Sequence, residues 1–173
     1  MVEWVEVVTP AGELKRLTKA ECKFAYRDSI FKQHADWIIV QAQFTFPAID
    51  PTAERQLLAD TTKAKNANQP TTAKTAGCMF TNPIVSRDTL PEKLKPFVDA
   101  EQKISAWRLI EEVGLKGKQL GQIQISEKHS NFMINLGDGT ADQVMQLISL
   151  VKQAVRDKLS IQLQEEIQYL GFE

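Results

Sequence analysis

A thiol that is to give up a proton needs a stiff backbone beneath it. The stretch Thr75-Ala-Gly-Cys-Met-Phe-Thr-Asn-Pro83 offers one. Gly77 can take a positive φ or let the chain approach a ligand closely. Pro83 fixes its own φ and pushes Asn82 into an extended shape. Cys78 lies between them, and a thiol, with a reference pKa of about 8.5, is a better acid than any hydroxyl. Held this way it can deliver a proton. A free Cys is also at home as a small buried hydrophobe, and the spacing leaves both readings open. A second chemical cluster is Tyr26-Arg-Asp-Ser29, flanked by Phe24, Ile30 and Phe31. The apolar neighbours would anchor it, and an anchored Arg27 can grip a carboxylate or phosphate with two donors at once. An exposed Arg27–Asp28 patch is the plain alternative. A third candidate is Glu166. It falls opposite the apolar face of the alternating run Ile161–Leu170, so it is either solvated or turned to a polar cleft.

Those residues need elements to hold them. Residues 2–8 read as a strand, with a turn at Pro10-Ala-Gly12 and a second short strand near Leu14–Leu17. Trp37–Phe46 reads as a half-buried strand. Ile38, Val40, Ala42, Phe44 and Phe46 point one way; Ile39, Gln41, Gln43 and Thr45 point the other. Asp50-Pro51 opens a helix that runs to about Lys65. A polar loop then leads to Cys78. Residues 84–103, with Pro91 and Pro96, read as a loop with short helical turns. Ser105 caps a helix with Ala106, Leu109, Ile110 and Val113 on one face, closed by Gly114. Ile123 and Ile125 mark a strand, and Asn131–Leu136 another. Thr140 and Gln143 form a capping box for a long helix that buries Val144, Leu147, Ile148, Val151 and Val155 and stops at Ser160. Ile161–Leu170 reads as the last strand. The order of elements predicts an α+β fold, strand-rich in front, with a β/α part from about residue 76.

Composition narrows the function. The chain has 173 residues, 43% hydrophobic, with a formal net charge of −1 and a pI near 6.2. A nucleic-acid partner would want a basic face, so none is expected. No apolar run approaches the ~20 residues that span a bilayer, and no membrane partner is expected. The first residues carry no basic segment of the signal-peptide kind, and Cys22 and Cys78 make no disulfide framework. A reduced, cytoplasmic protein is the expectation. His34 and His129 stand alone, and no metal site is expected. The eight glycines form neither a P-loop nor a dinucleotide fingerprint. The chain also opens inside a strand-like run, Val2-Glu-Trp-Val-Glu-Val-Val8, as a fragment would.

Five blocks stand in order along the chain: Tyr26-Arg-Asp-Ser-Ile-Phe31, Ala76-Gly-Cys-Met-Phe-Thr-Asn-Pro83, Ile110-Glu-Glu-Val-Gly-Leu-Lys-Gly117, Ser126-Glu-Lys-His-Ser-Asn-Phe132 and Leu163-Gln-Glu-Glu-Ile167. Together they resemble the carboxyl-terminal part of the UDP-N-acetylenolpyruvoylglucosamine reductase family, also called UDP-N-acetylmuramate dehydrogenases. The resemblance implies an NADPH-dependent flavoenzyme of peptidoglycan synthesis that uses FAD. It acts on a small UDP-sugar bearing an enolpyruvyl group. By matching position, Arg27 is the clamp arginine, Cys78 the proton donor (often Ser in the family), and Glu166 the catalytic glutamate. Tyr26 and Asn82 match substrate-binding positions. Thr81 stands where the family usually has Lys, and Gln168 where Arg often follows the glutamate. The Ser-Glu-Lys-His block and the short chain end resemble the subtype without an inserted tyrosine loop. The resemblance further implies that residues 1–65 are the remnant of the second half of the FAD-binding region. Residues 70–173 are then the substrate-binding domain, and much of the FAD site lies on an amino-terminal domain that, where encoded separately, would be a partner. A chain that is not catalytic and at most binds the UDP-sugar is the alternative.

Overall fold

Val5, Val7 and Leu17 alternate with polar neighbours, and that alternation builds the first sheet. The computed structural model describes residues 1–171, which form two compact units, Met1–Leu57 and a second from Leu58 onward. In the first, β1 (Val2–Val8) pairs antiparallel with β2 (Leu14–Thr18), setting Val5 opposite Leu17 and Glu6 opposite Arg16. The turn between them closes with Gly12 at φ +79, where a side chain would be strained. On the outer face Arg16 donates to the Glu6 carboxylate at 2.7 and 3.0 Å and lies over the Trp4 ring. The inner face buries Val5, Val7, Leu17 and Cys22, with Ile30, Phe31, Trp37 and Ala42 packed against them.

The third strand departs from expectation. β3 (Ile38–Phe44) lies antiparallel on the other side of β1, giving the order β2-β1-β3. It is not half-buried: only Ala42 is partly covered, and Ile38, Ile39, Val40 and Phe44 are all more than half exposed. Nor does its alternation run unbroken. Glu6 faces Gln41 while Val7 faces Ile39, so an extra residue is accommodated at Val40. Such a bulge bends the strand and switches which residues share the inner face. Ala42 and Ile39, not Ala42 and Val40, sit opposite Val5 and Val7. The short helix α1 (Ile30–Gln33) precedes β3, and α2 (Pro51–Asn68) follows it with no buried side chain.

The second unit has the larger core. α3 (Ala106–Glu112) buries Ala106, Leu109 and Ile110, and Val113 follows. It ends in a Schellman pattern, with Gly114 N–H donating to Glu111 O and Leu115 N–H to Ile110 O, and Gly114 at φ +80. β4 (Gln119–Leu120), β5 (Ile123–Ile125) and β6 (Met133–Asn135) form an antiparallel sheet in that order. Isolated bridges extend it: Lys74 pairs with Asn135, Cys78 with Phe132, and Phe80 with Glu165. α4 (Ala141–Leu159) starts from the Thr140–Gln143 capping box and stops at Ser160, which takes the left-handed conformation. Its stripe Leu147, Ile148, Val151, Val155 and Leu159 is buried in one cluster with Ile123, Ile125, Met133 and Leu163. Residues 84–103 carry two short 3₁₀ turns, Arg87–Thr89 and Lys95–Phe97. The expected final strand is shorter than its alternation suggests. Ile161 and Leu163 are buried, but residues 161–170 form no strand, and among the described residues their one bridge position is Glu165. Among the described residues, no helix is long and apolar enough to cross a membrane.

These packings predict where stability resides. Leu147 is fully buried, so Leu147→Ala should cost about 2–5 kcal/mol in urea denaturation. Leu57→Ala, on the exposed side of α2, should change it by less than about 0.5 kcal/mol. Amides of 147–155 should exchange far more slowly than those of 38–44, where covering contacts are few. Equal protection of both segments would contradict this assignment.

Candidate functional site

The Cys78 stretch is held on both sides. Met79 N–H donates to Asn131 O at 2.8 Å on one edge. On the other, Glu166 N–H donates to Met79 O at 2.8 Å and Thr81 N–H to Gln164 O at 2.9 Å. Residues 78–81 thus form the middle of an irregular three-strand arrangement. Gly77, at φ +91, supplies the turn into it, and nothing lies within 4 Å of the Cβ it lacks. The Asn131 side chain, 4% exposed, spans Phe80: Phe80 N–H donates to Asn131 Oδ1 at 3.0 Å, and Asn131 Nδ2 donates to Phe80 O at 2.8 Å. No buried side-chain nitrogen or oxygen among the described residues lacks a hydrogen-bond partner.

This ladder brings Cys78 and Glu166 together. Glu166 is bonded through its backbone to the residue next to Cys78, although 88 positions separate them in the chain. Both side chains are half-buried. Asn82 follows on the same segment. Its Oδ1 accepts from Ala106 N–H at 3.0 Å, at the first turn of α3. Ser105, expected to cap that helix, makes no side-chain cap bond; Asn82 supplies it from a remote position. Arg27 and Tyr26 belong to the first unit. Arg27 adopts φ 55, a left-handed conformation uncommon for a residue with a side chain. Lys32 Nζ donates to its carbonyl at 2.5 Å, and the guanidinium lies 5.7 Å from the Tyr26 ring centroid. Both are exposed, as is Phe24, so only Ile30 and Phe31 anchor the segment in the apolar cluster.

Around the far end of the ladder lies a polar cluster that the periodicity of the sequence did not reveal. Ser130 Oγ donates to Glu111 Oε1 at 2.9 Å, and Lys116 Nζ reaches the same oxygen at 2.7 Å. Burial pushes the Glu111 carboxyl up, but these two bonds and the charges of Lys116 and Arg108 outweigh it and hold it below the usual range. His129 packs edge-on against Phe132, 4.9 Å between centroids, and its Nδ1 accepts from Asn131 N–H at 3.3 Å. Burial pushes the imidazole down, helped by Lys116 and opposed by Glu111. The balance favours the neutral imidazole, although a backbone hydrogen bond opposes it, and Nδ1 is the acceptor of the Asn131 bond. The signal for Asn131 was its place in a turn directly before the apolar Phe132 and Met133, where a buried amide must find partners.

An FAD diphosphate would need a cradle of converging backbone N–H groups. Among the described residues, glycines with positive φ sit as isolated turns at 12, 77, 114, 117, 121 and 171. The open sides of Gly117 and Gly121 are filled by the Glu127 and Gln143 side chains. These residues do not fit a diphosphate cradle. No group of three His, Cys, Asp or Glu side chains gathers among the described residues.

Residues 69–170 match the family model described as UDP-N-acetylenolpyruvoylglucosamine reductase, C-terminal domain. Similar proteins named UDP-N-acetylenolpyruvoylglucosamine reductase include one from Solibacter usitatus, 38% identical over 88% of this chain and 49% of that protein. Another, from Gluconobacter oxydans, is 32% identical over 98% of this chain and 49% of that protein. The crystal structure of UDP-N-acetylenolpyruvylglucosamine reductase (MurB) from Thermus caldophilus is similar, with a TM-score of 0.71 at 28% identity. That match covers 96% of this chain and 52% of the solved one. The chain spans about half the length of the curated relatives it matches.

The His129 environment predicts a pH dependence of folding. Its imidazole is held below its ordinary value near 6.5, so the unfolded chain takes the proton first as pH falls. The contribution is fully present above pH ~6.5 and is lost progressively below it. Urea midpoints should drop between pH 7.5 and 5, and His129→Gln should flatten that part of the profile. An unchanged slope in His129→Gln would show that other groups carry it.

Proposed function

Because the chain belongs to the UDP-N-acetylenolpyruvoylglucosamine reductase family, we propose that it carries the substrate-handling part of that reaction in peptidoglycan precursor synthesis. The substrate is UDP-N-acetylglucosamine enolpyruvate and the product UDP-N-acetylmuramate, and the setting is cytoplasmic. The double bond of the enolpyruvyl group gains a hydride at C3 and a proton at C2. FAD, reduced by NADPH, supplies the hydride when bound. What supports the reading is the backbone bond from Glu166 N–H to the carbonyl of Met79, the residue that follows Cys78.

In this reading Cys78 gives its thiol proton to C2 as the general acid. Glu166 stands beside it as the second catalytic group. Arg27 clamps the substrate carboxylate, where charge builds up as the hydride arrives, as preorganised donors do elsewhere. Its guanidinium can do so with two parallel bonds. Asn82 contacts the sugar nucleotide from an orientation fixed by its bond to Ala106 N–H. Tyr26 is a further substrate-binding residue in this reading. Residues 1–65 are the end of the flavin-binding region and 70–173 the substrate-binding domain. The FAD diphosphate is held by the portion of the relatives that this chain does not match, a separately encoded partner if not part of the same protein.

Two measurements test this. The full chain purified alone should be colourless, in line with the missing diphosphate cradle; a stoichiometric yellow flavin spectrum would contradict it. Supplied with the unmatched half of the Solibacter usitatus relative, it should oxidise NADPH in a substrate-dependent way. Cys78→Ala should slow flavin reoxidation by substrate by ~10²–10⁴-fold while sparing flavin reduction by NADPH. Cys78→Ser should keep much of the rate. It should also remove any fall in rate above pH ~8.5, since a hydroxyl does not titrate there. If Cys78→Ala reoxidises as fast as the parent, Cys78 is not the acid. Binding of the UDP-sugar without turnover in the complemented mixture would favour the binding-only alternative.

A further inference from the structure

Glu165 and Glu166 are consecutive, and both are tied through the backbone to residues 79–80. The Glu165 carboxylate is held from two directions. Lys152 Nζ, on α4, donates to Oε1 at 2.5 Å, and Tyr169 Oη donates to Oε2 at 2.7 Å. Burial pushes the Glu165 carboxyl up, but both bonds and the Lys152 charge outweigh it and hold it below the usual range. The Tyr169 hydroxyl is pushed up to about 12 by burial and by the Glu165 carboxylate. On the backbone side, Glu165 is the ladder partner of Phe80, and Glu166 N–H is bonded to Met79 O. Upstream, Ile161 and Leu163 anchor the segment by burial. Downstream of Leu163 only the partly buried Ile167 packs against the core, and the Glu165 bonds add to it.

We infer that Lys152 and Tyr169 are positioning residues for Glu166: by pinning Glu165 to α4 they fix the rung next to the one that bonds Glu166 N–H to Met79 O. The inference rests on the reading of Glu166 as catalytic. Its physical basis is a division of labour across one strand. The Glu165 side chain is locked to a rigid helix, so the residue after it has little freedom in how it leaves the ladder. The pair is partly exposed, with Lys152 and Glu165 side chains 38% and 20% accessible. Ion pairs of that exposure add little to global stability. Its effect is therefore local geometry, and misplacing a reacting group by about 1 Å can cost ~10²-fold in rate.

The test uses the full chain and the complemented mixture described above. On the chain alone, Lys152→Met should speed hydrogen exchange at the Glu166 amide by about 10-fold or more, and leave the Met79 amide, bonded to Asn131, within about twofold. Lys152→Arg should restore the parent rate, and Tyr169→Phe should give a smaller change of the same kind. In the mixture, Lys152→Met should lower kcat by about 10-fold with KM little changed, and should add no further loss in a Glu166→Gln background. Unchanged exchange at Glu166, equal acceleration at Met79, or additive losses in the double variant would each overturn the positioning role alone. If Glu166→Gln keeps the parent rate, the catalytic reading of Glu166 falls and this inference with it. Exchange is read on the chain by itself, so it decides the local claim independently of turnover.

Discussion

Asn131 spends both ends of its amide on a single residue, the N–H and the carbonyl of Phe80. That is an unusual commitment for a side chain 4% exposed, and the second unit is arranged around it. Two buried backbone groups left without partners would cost about 1–3 kcal/mol each. The clamp replaces a regular ladder where β6 gives way to the turn at 126–131. It lets residues 78–81 enter the sheet at an edge where regular strand pairing has stopped. With Met79 N–H on Asn131 O and Met79 O receiving Glu166 N–H, the segment is tied on both sides. Cys78 inherits that rigidity without making any of these bonds through its own side chain.

The same ladder carries structural and chemical side chains on one short stretch. Met79 and Phe80 belong to the buried cluster, while Cys78 stays half-accessible at its margin. Glu165 turns to α4, where Lys152 donates to its carboxylate. α4 can serve as a fixed support because its own ends are secured, by the Thr140–Gln143 box and the left-handed Ser160. Five of its side chains are buried along one stripe. A rigid helix behind an irregular strand is a common way to hold reactive groups in place when the strand itself is short.

The first unit follows a different rule. Its inner face closes over Val5, Val7 and Leu17, but β3 is an edge strand with large apolar side chains in the open. Edge strands of that kind invite pairing or covering by other chain segments. Arg27 sits on this unit in a left-handed conformation that few side-chain-bearing residues adopt. Backbone of that sort persists where surrounding bonds hold it, here the Lys32 bond to its carbonyl and the Ala25–Asp28 bridge.

Much of the architecture could be read from local pattern alone. The hairpin at 2–18, the helices at 51, 106 and 141, the capping box and the stop at Ser160 all depend on residues close in sequence. So did the block order that pointed to the reductase family. The sequence also singled out Cys78, Asn82 and Glu166 as worth attention, through resemblance more than through spacing. What it could not reveal depends on partners far away in the chain. The bulge at Val40 exists because β3 must follow β1, and it undid an alternation that looked regular. Ser105 looked like the cap of α3, yet the cap came from Asn82, brought there by the ladder. The run after Ser160 alternated like a strand, but only Glu165 found a ladder partner. Periodicity reports which face of an element is apolar; it carries no information on which distant backbone will supply the hydrogen bonds. That second choice is made by tertiary packing, because a buried polar group takes whichever partner the fold brings within 3 Å.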